Sequence, residues 1–362
     1  MELRLMYNEA SVGALANAIV AVYPPFAREP FLAAVFAPGW DDLALKQRTR
    51  RITTALHDFL PADYAQALDI LRRALPLLGE QGFEKMVFPD YVECYGLDHL
   101  EASLDALEAF TQEVSAEFAI RPFIDRYPQE TMARMAQWAR HPHSGVRRLA
   151  SEGCRPRLPW GMGLRALKED PSPILPILEQ LRNDPDEVVR RSVANNLNDI
   201  AKDNPAVVLD LLGRWQADAT PEVAWITRHA LRTLVKQGHP GALGLLGYGA
   251  ARVSVSPVKV SPETVMMGDR VTFSFTITST GDALQDLVVD YALHMARANG
   301  KQTAKVFKIG KWTLGPGETV TITRSHSFRP ITMRTYYAGA HAIQPQVNGE
   351  LYERAEFVLL AD

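Results

Sequence analysis

Three short stretches of this chain repeat one another at a spacing that few folds accommodate. Val146-Arg147-Arg148-Leu149-Ala150 matches Val189-Arg190-Arg191-Ser192-Val193, and both resemble Ile226-Thr227-Arg228-His229-Ala230. The copies lie 43 and then 37 residues apart. A shorter apolar segment precedes each: Met132–Trp138, Ile174–Leu181 and Val207–Trp215. A helix pair recurring about every 40 residues buries its apolar side only by stacking on its neighbours, which predicts a HEAT-like α-solenoid. The second helix of each pair usually lines the concave face of such an array, so the recurrent arginines are expected there.

The helical pattern extends well before the repeats. Leu45, Thr49, Ile52 and Leu56 fall at helical spacing, as do Tyr64, Leu68, Leu71 and Leu75, then Leu100, Leu104 and Leu107. Asp170-Pro171, Asp184-Pro185, Asn204-Pro205 and Thr220-Pro221 each offer a capping residue before a proline, the usual start of a helix. After Gly249 the period changes. Val253–Val255, Val271–Thr278, Leu287–Leu293, Thr319–Thr323 and Glu356–Leu360 are short and β-branched, with turns such as Gly315-Pro316-Gly317 and Asn348-Gly349 between them. About seven strands in that span predict an immunoglobulin-like or fibronectin-like sandwich, with a β-barrel as the competitor. The expected fold class is therefore multidomain α + β. A HEAT-like helical domain over 1–249 is followed by an all-β immunoglobulin-like domain over 250–362.

Composition bounds the function. With 47% hydrophobic and 22% charged residues the chain is an ordinary globular one, not a disordered or collagen-like one. Two cysteines, Cys94 and Cys154, make no disulfide framework, and no Cys/His spacing suggests a zinc site, so a reducing compartment is expected. The apolar stretch from Val12 to Val22 is interrupted by Asn17 and has neither a signal peptide's charged flank nor the length of a membrane span. A soluble, cytoplasmic protein is expected. The net charge is −3, but it is uneven: residues 1–140 carry 13 basic and 20 acidic side chains, 141–250 carry 14 and 12, and 251–362 carry 12 and 10. That distribution is compatible with a nucleic-acid-facing second half.

No Walker loop, GxGxxG, HExxH or nucleophile elbow is present. His141 and His143 flank Pro142 and are read as capping residues, and Cys154 as a buried small residue. Two stretches stand out. In VRRLASEGCRPRLPW, Glu152 lies four residues after Arg148 and three before Arg155, on one helix face if the helix persists. Gly153 and Arg155-Pro156-Arg157 should end that helix in an arginine-rich turn, with Trp160 directly after it, an arrangement suited to phosphate contact plus stacking. The plainer reading is a surface ion pair. In VRRSVANNLNDIAKDNP, four short polar residues, Asn195, Asn196, Asn198 and Asp199, crowd one helix at roughly 0.5 kcal/mol each against alanine. Asn195 and Asp199 share a face with Arg191 and Lys202. A functional face and a solvated face are both open readings. Glu117, at the head of EFAIRPF, reads in isolation as a first-turn acid that complements the helix dipole.

The stretches SEGCRPRLPWG, SVANNLNDIAKDNP and EFAIRPF closely resemble the AlkC-type DNA alkylation repair proteins, relatives of the AlkD-like HEAT-repeat DNA glycosylases. The resemblance covers roughly residues 1–250, and some members append an immunoglobulin-like domain. It implies a monofunctional DNA glycosylase that excises cationic N-alkylated bases from duplex DNA without flipping the base into a pocket. The favoured lesions are 3-methylcytosine and 1-methyladenine, with 3-methyladenine related. By the same resemblance Glu117, Glu152 and Asp199 are the acidic catalytic residues, and Trp160 is the aromatic that approaches the lesion. Arg148, Arg155, Arg157, Arg190, Arg191, Lys202 and Arg228 are the expected DNA-phosphate contacts. No metal and no organic cofactor is implied, nor an obligate protein partner, and a monomer is expected. Lys301, Lys305, Lys308 and Lys311 are read either as a second approach to the DNA backbone, closing a clamp, or as a solvated strand face. Architecture alone would instead suggest a non-enzymatic interaction scaffold.

Overall fold

The structure, a computed structural model, describes residues 2–79, 82–331 and 334–361. Helices run from Glu9 to Leu245 and strands from Val253 to Leu360. The helical spacing read from the sequence becomes the helices Leu45–Phe59, Tyr64–Ala74, Leu100–Phe110 and Pro128–Trp138. Their inward residues, among them Ile52, Leu56, Leu68, Leu71, Leu104, Leu107 and Met135, are buried. Among the described residues four helices begin at a proline: Pro128–Trp138, Pro205–Trp215, Pro221–Ala230 and Pro240–Leu245. The missing N–H costs nothing there. Thr220 caps as expected, its Oγ1 accepting from the Val223 amide at 3.2 Å. The Asp184 expectation is corrected. Asp186 caps the Glu187–Ile200 helix through the Val188 amide, while Asp184 is buried and bound by Arg147 at 2.6 Å.

The repeats lie on the helices Ser144–Glu152, Glu187–Ile200 and Pro221–Ala230, preceded by Pro128–Trp138, Leu175–Leu181 and Pro205–Trp215. Within each motif the positions divide the work. The first residue, Val146, Val189 or Ile226, is buried. The next arginine staples the loop behind it. Arg147 donates to the His141 and Pro142 carbonyls, and Arg190 donates to the Asp184 and Pro185 carbonyls at 2.6 and 2.8 Å. The third residue is more open than the second: Arg148 is half-buried, and Arg191 and Arg228 are exposed.

The chain forms two compact units. One holds the chain up to Asn204 together with Ala219–Ile226, and the other holds Pro205–Asp218 and the chain from Thr227 onward. In the second unit two sheets enclose an apolar core. Strands β1 (Val253–Val255), β2 (Lys259–Ser261), β3 (Thr264–Met266), β4 (Arg270–Ser279) and β5 (Gln285–Ala296) are followed by β6 (Gln302–Leu314), β7 (Thr319–Ser327), β8 (Gly339–Val347), β9 (Glu350–Leu351) and β10 (Ala355–Leu360). In one sheet β4 pairs with β1 and β2 and with β7; the other has the order β3-β10-β8-β5-β6, with β9 on β8. Among the described residues all strand pairs are antiparallel except β3 with β10. Val271, Phe273, Phe275 and Ile277 of β4 face Leu287, Val289, Tyr291 and Leu293 of β5 across the core. The opposite face of β5 is covered too: Val288 packs with Leu243 and Tyr248 from the same unit.

Candidate functional site

The site begins where the Ser144–Glu152 helix stops. Gly153 follows its last residue, and only glycine fits there, since a Cβ would sit 2.6 Å from Ile120 Cγ2 and 2.9 Å from the Leu149 carbonyl. The chain then turns through Pro156 and Pro159, so Arg155, Arg157 and Trp160 leave the helix on separate trajectories. Glu152 is therefore the last helical residue and stays buried.

Around it, three carboxylates and three cations alternate. Arg148 reaches Glu117 at 2.7 Å and stands 3.8 Å from Glu152. Arg155 donates to Glu152 Oε1 at 2.6 Å and, through Nε and its terminal nitrogen, to Asp199 Oδ2 at 2.9 and 2.8 Å. Lys202 closes the series on Asp199 Oδ1 at 2.9 Å. Hydroxyls take further lone pairs: Ser115 donates to Glu117 Oε2 and Ser192 to Glu152 Oε2, both at 2.7 Å. The row is formally neutral, and its members differ in access. The Arg155 side chain is 8% exposed, against 26% for Arg148 and 36% for Lys202.

Glu117 and Glu152 line an open cleft of about 540 Å³ together with Phe83, Phe118, Arg155 and Trp160. Trp160 is 68% exposed and has φ 64°. A bulky residue in left-handed backbone is uncommon, costs about 1–3 kcal/mol and persists only where its surroundings hold it. Lys46 holds it from one side by donating to the Trp160 carbonyl, and Lys46 also lies 4.2 Å from the centre of the Phe118 ring.

The sequence-predicted residues therefore divide between one network and outlying positions. Glu117, Glu152, Arg148, Arg155, Asp199 and Lys202 are joined in one network, with Trp160 on the same cleft. Asp199 does not line the cleft but meets it through Arg155. Arg157 lies outside, paired in two contacts with Asp203 at 2.8 and 2.5 Å. Arg191 pairs with the exposed Glu187 one turn back. Arg190, also expected at phosphate, gives one terminal nitrogen to the Asp184 and Pro185 loop carbonyls. Arg155, expected at phosphate as well, lines the cleft and is buried together with both of its carboxylate partners. Arg228 is exposed and belongs to the second unit. The plain reading of Glu117 as a first-turn acid fails, since the helix starts only at Arg121. The ion pair at Arg148, Glu152 and Arg155 is a partly buried network, not a surface pair.

Of the polar helix residues, Asn196 is buried and donates to the Ser151 carbonyl at 2.8 Å, so it packs the two repeat helices together. His143 caps the Ser144–Glu152 helix, its Nδ1 accepting from the Gly145 amide, and Cys154 is buried with its thiol pushed up to about 12. Sequence reasoning missed Ser115, Ser192, Lys46 and Arg121. Ser192 alone carried a signal, standing directly after the second arginine of a repeat.

The chain thus combines helical repeats that hold an acid–arginine network beside an exposed tryptophan with a following two-sheet domain. Residues 102–234 match the family described as DNA alkylation repair enzyme, and 254–361 match the C-terminal Ig-like domain of the uncharacterised protein YhaZ. YhaZ of Bacillus subtilis is 42% identical over 357 residues, covering 98% of this chain and 99% of its own. The Pseudomonas fluorescens alkylpurine DNA glycosylase AlkC, solved bound to DNA containing an abasic site analog, is 42% identical with a TM-score of 0.94 over 100% of both chains. The chain belongs to the AlkC-type DNA alkylation repair proteins. Among the described residues, no helix is long and apolar enough to cross a membrane.

Proposed function

We propose that this chain is a monofunctional DNA glycosylase that hydrolyses the N-glycosidic bond of cationic N-alkylated bases in duplex DNA. The lesions are 3-methylcytosine and 1-methyladenine, with 3-methyladenine related, and the base is not drawn into a pocket. The observation that carries the reading is the row of three carboxylates, two of them on a cleft whose rim is an exposed tryptophan. Glu117 and Glu152 reach the cleft with their charge balanced by Arg148 and Arg155, and phosphate that draws off a cation would uncover that charge. A cationic base is already a good leaving group and needs no general acid. Positive charge develops on the deoxyribose instead, and carboxylates near the sugar stabilise it and orient water.

The access of the three cations suggests how the row is set for this. Arg148 and Lys202 are the accessible ones, and phosphates arriving with a duplex compete for them. Arg155 stays between Glu152 and Asp199. Binding the backbone then leaves the row net negative beside the sugar, while Trp160 gains roughly 0.5–2 kcal/mol against a cationic base by cation–π contact. A neutral base gains neither. Arg148, Arg157, Arg191, Lys202 and Arg228 are the phosphate contacts in this reading. The protein acts as a cytoplasmic monomer, with 1–249 as the catalytic domain and 250–362 as an immunoglobulin-like domain that helps to hold the duplex. DNA as the partner is supported by AlkC having been solved on DNA.

The test is base release from oligonucleotides carrying one defined methylated base each. Glu152→Gln and Asp199→Asn are expected to slow single-turnover release by about 10²-fold, the scale of losing one electrostatic stabiliser. Binding to an abasic-analogue duplex should persist in both. Parent-like rates in both variants reject the assignment, and absence of any salt-dependent duplex binding rejects the function.

A further inference from the structure

We infer that Arg121 is a positioning residue, a strut that fixes the Trp160 loop against the end of the helix bearing Glu152. This rests on the function proposed above and adds to it a residue that touches neither base nor sugar. Arg121 opens the Arg121–Arg126 helix directly before Pro122 and is 0% exposed. Its Nε donates to the Met162 carbonyl at 2.5 Å, and one terminal nitrogen donates to the Gly153 carbonyl at 2.8 Å. The first carbonyl lies two residues after Trp160, and the second directly after Glu152.

The other terminal nitrogen is buried and has no hydrogen-bond partner. A fully buried guanidinium that takes carbonyls as its hydrogen-bond partners, with one nitrogen left unsatisfied, is an expensive way to fill space. A flat fork is what can hold two carbonyls from different segments at a fixed angle, and a lysine ammonium on a flexible stem cannot. Burial pulls the group down to about 10, so it still carries its charge at neutral pH.

The loop is shaped to receive it. A Cβ at Gly161 would stand 3.2 Å from Arg121 Nε. The strained left-handed backbone of Trp160 is thus gripped on both sides, by Lys46 at its own carbonyl and by Arg121 at Met162. The ring and the Glu152 carboxylate keep their separation on the cleft because one guanidinium ties both segments.

The test uses the full chain with 5-fluorotryptophan in place of its six tryptophans, the Trp160 fluorine resonance being assigned by Trp160→Phe. Arg121→Lys is expected to shift or broaden the Trp160 resonance and leave the other five in place. Single-turnover base release should fall at least tenfold, with abasic-duplex affinity unchanged within about threefold. Combined with Trp160→Ala, the lysine should cost less than it does alone, since the partner it positions is gone. Gly161→Ala sets a methyl against the strut from the loop side and should move the same resonance, which keeps the idea testable if Arg121→Lys does not fold. An unmoved Trp160 resonance in the folded variants, or fully multiplicative losses in the double variant, overturns the inference. If the parent chain releases no base from any methylated duplex, the enzymatic reading falls, while the fluorine spectra still judge the strut.

Discussion

Arg155 carries more of this site than any single acid. It holds Glu152 at 2.6 Å and Asp199 at 2.8 Å, so two buried carboxylates that would repel one another share one buried cation. Removing one member of a buried set leaves the remaining charges uncompensated, which costs about 3–5 kcal/mol. Arg155→Gln is therefore expected to lose that much stability in urea or guanidinium unfolding, with little change in the transition's steepness. Adding Glu152→Gln should return at least half of the loss, because one of the two facing charges disappears. A loss under about 1 kcal/mol for Arg155→Gln would show that the acids do not depend on it. The spacing of Arg148, Glu152 and Arg155 was legible as a helix-face group, but its burial was not. Burial comes from Ser192 and Asp199 on the next repeat helix, at sequence separations of 40 and 44, and no local pattern reports that.

The repeat helix uses adjacent arginines for opposite purposes. Arg147 is held by Asp184 in two contacts, 2.6 and 3.0 Å, and by two loop carbonyls, so it joins consecutive repeats. Arg191 has an exposed partner one turn away, a pair worth well under about 1 kcal/mol. Arg147→Ala should cost about 3–5 kcal/mol in denaturant unfolding, because it strands the buried Asp184. Arg191→Ala should leave stability within about 0.5 kcal/mol and lower the salt slope of duplex binding by roughly one. The reverse pattern would mean that the two positions have been assigned the wrong way round. The two-arginine motif itself was readable; which arginine points where was not, since adjacent residues on a helix diverge by about 100° and only the packing of the preceding loop decides between them. The strands show the same limit. β4 was found because its burial alternates with a period of two. β6 was readable only as a lysine-bearing strand face without bounds, because lysines and Gly310 interrupt that pattern. Its register shifts opposite Val289 and Asp290, so Lys308 and Lys311 face Asp290 and Val288 while Lys305 faces Leu293. The lysine run is therefore not one stripe, which weakens it as a DNA-facing surface and suits an edge strand that resists pairing with another chain.

At the scale of the whole molecule, acid should reveal two buried groups in the sandwich unit that oppose one another. His326 lies between Tyr291 and Tyr336, whose hydroxyls meet its two ring nitrogens at 2.7 and 3.1 Å, with Arg334 and His341 nearby. Burial, with those neighbours, pushes it down to about 4 from 6.5. As pH falls through 6.5 the unfolded chain takes a proton that the native one refuses, so His326 lowers stability down to about pH 4. Asp290 is buried near Lys236 and Lys308, and burial pushes its carboxyl up to about 6 from 3.8. Its native form holds a proton from about pH 6 downward that the unfolded chain takes only near 3.8, so Asp290 raises stability over nearly the same window. Each contribution is on the order of 3 kcal/mol, and between pH 4 and 6 they largely cancel. Asp290→Asn removes the gain and keeps the loss, so its melting temperature relative to the parent chain should fall steadily from pH 6.5 to 4. His326→Gln removes the loss, and its relative melting temperature should rise over the same range. Parallel pH curves for the parent and both variants would show that neither group is perturbed by its burial.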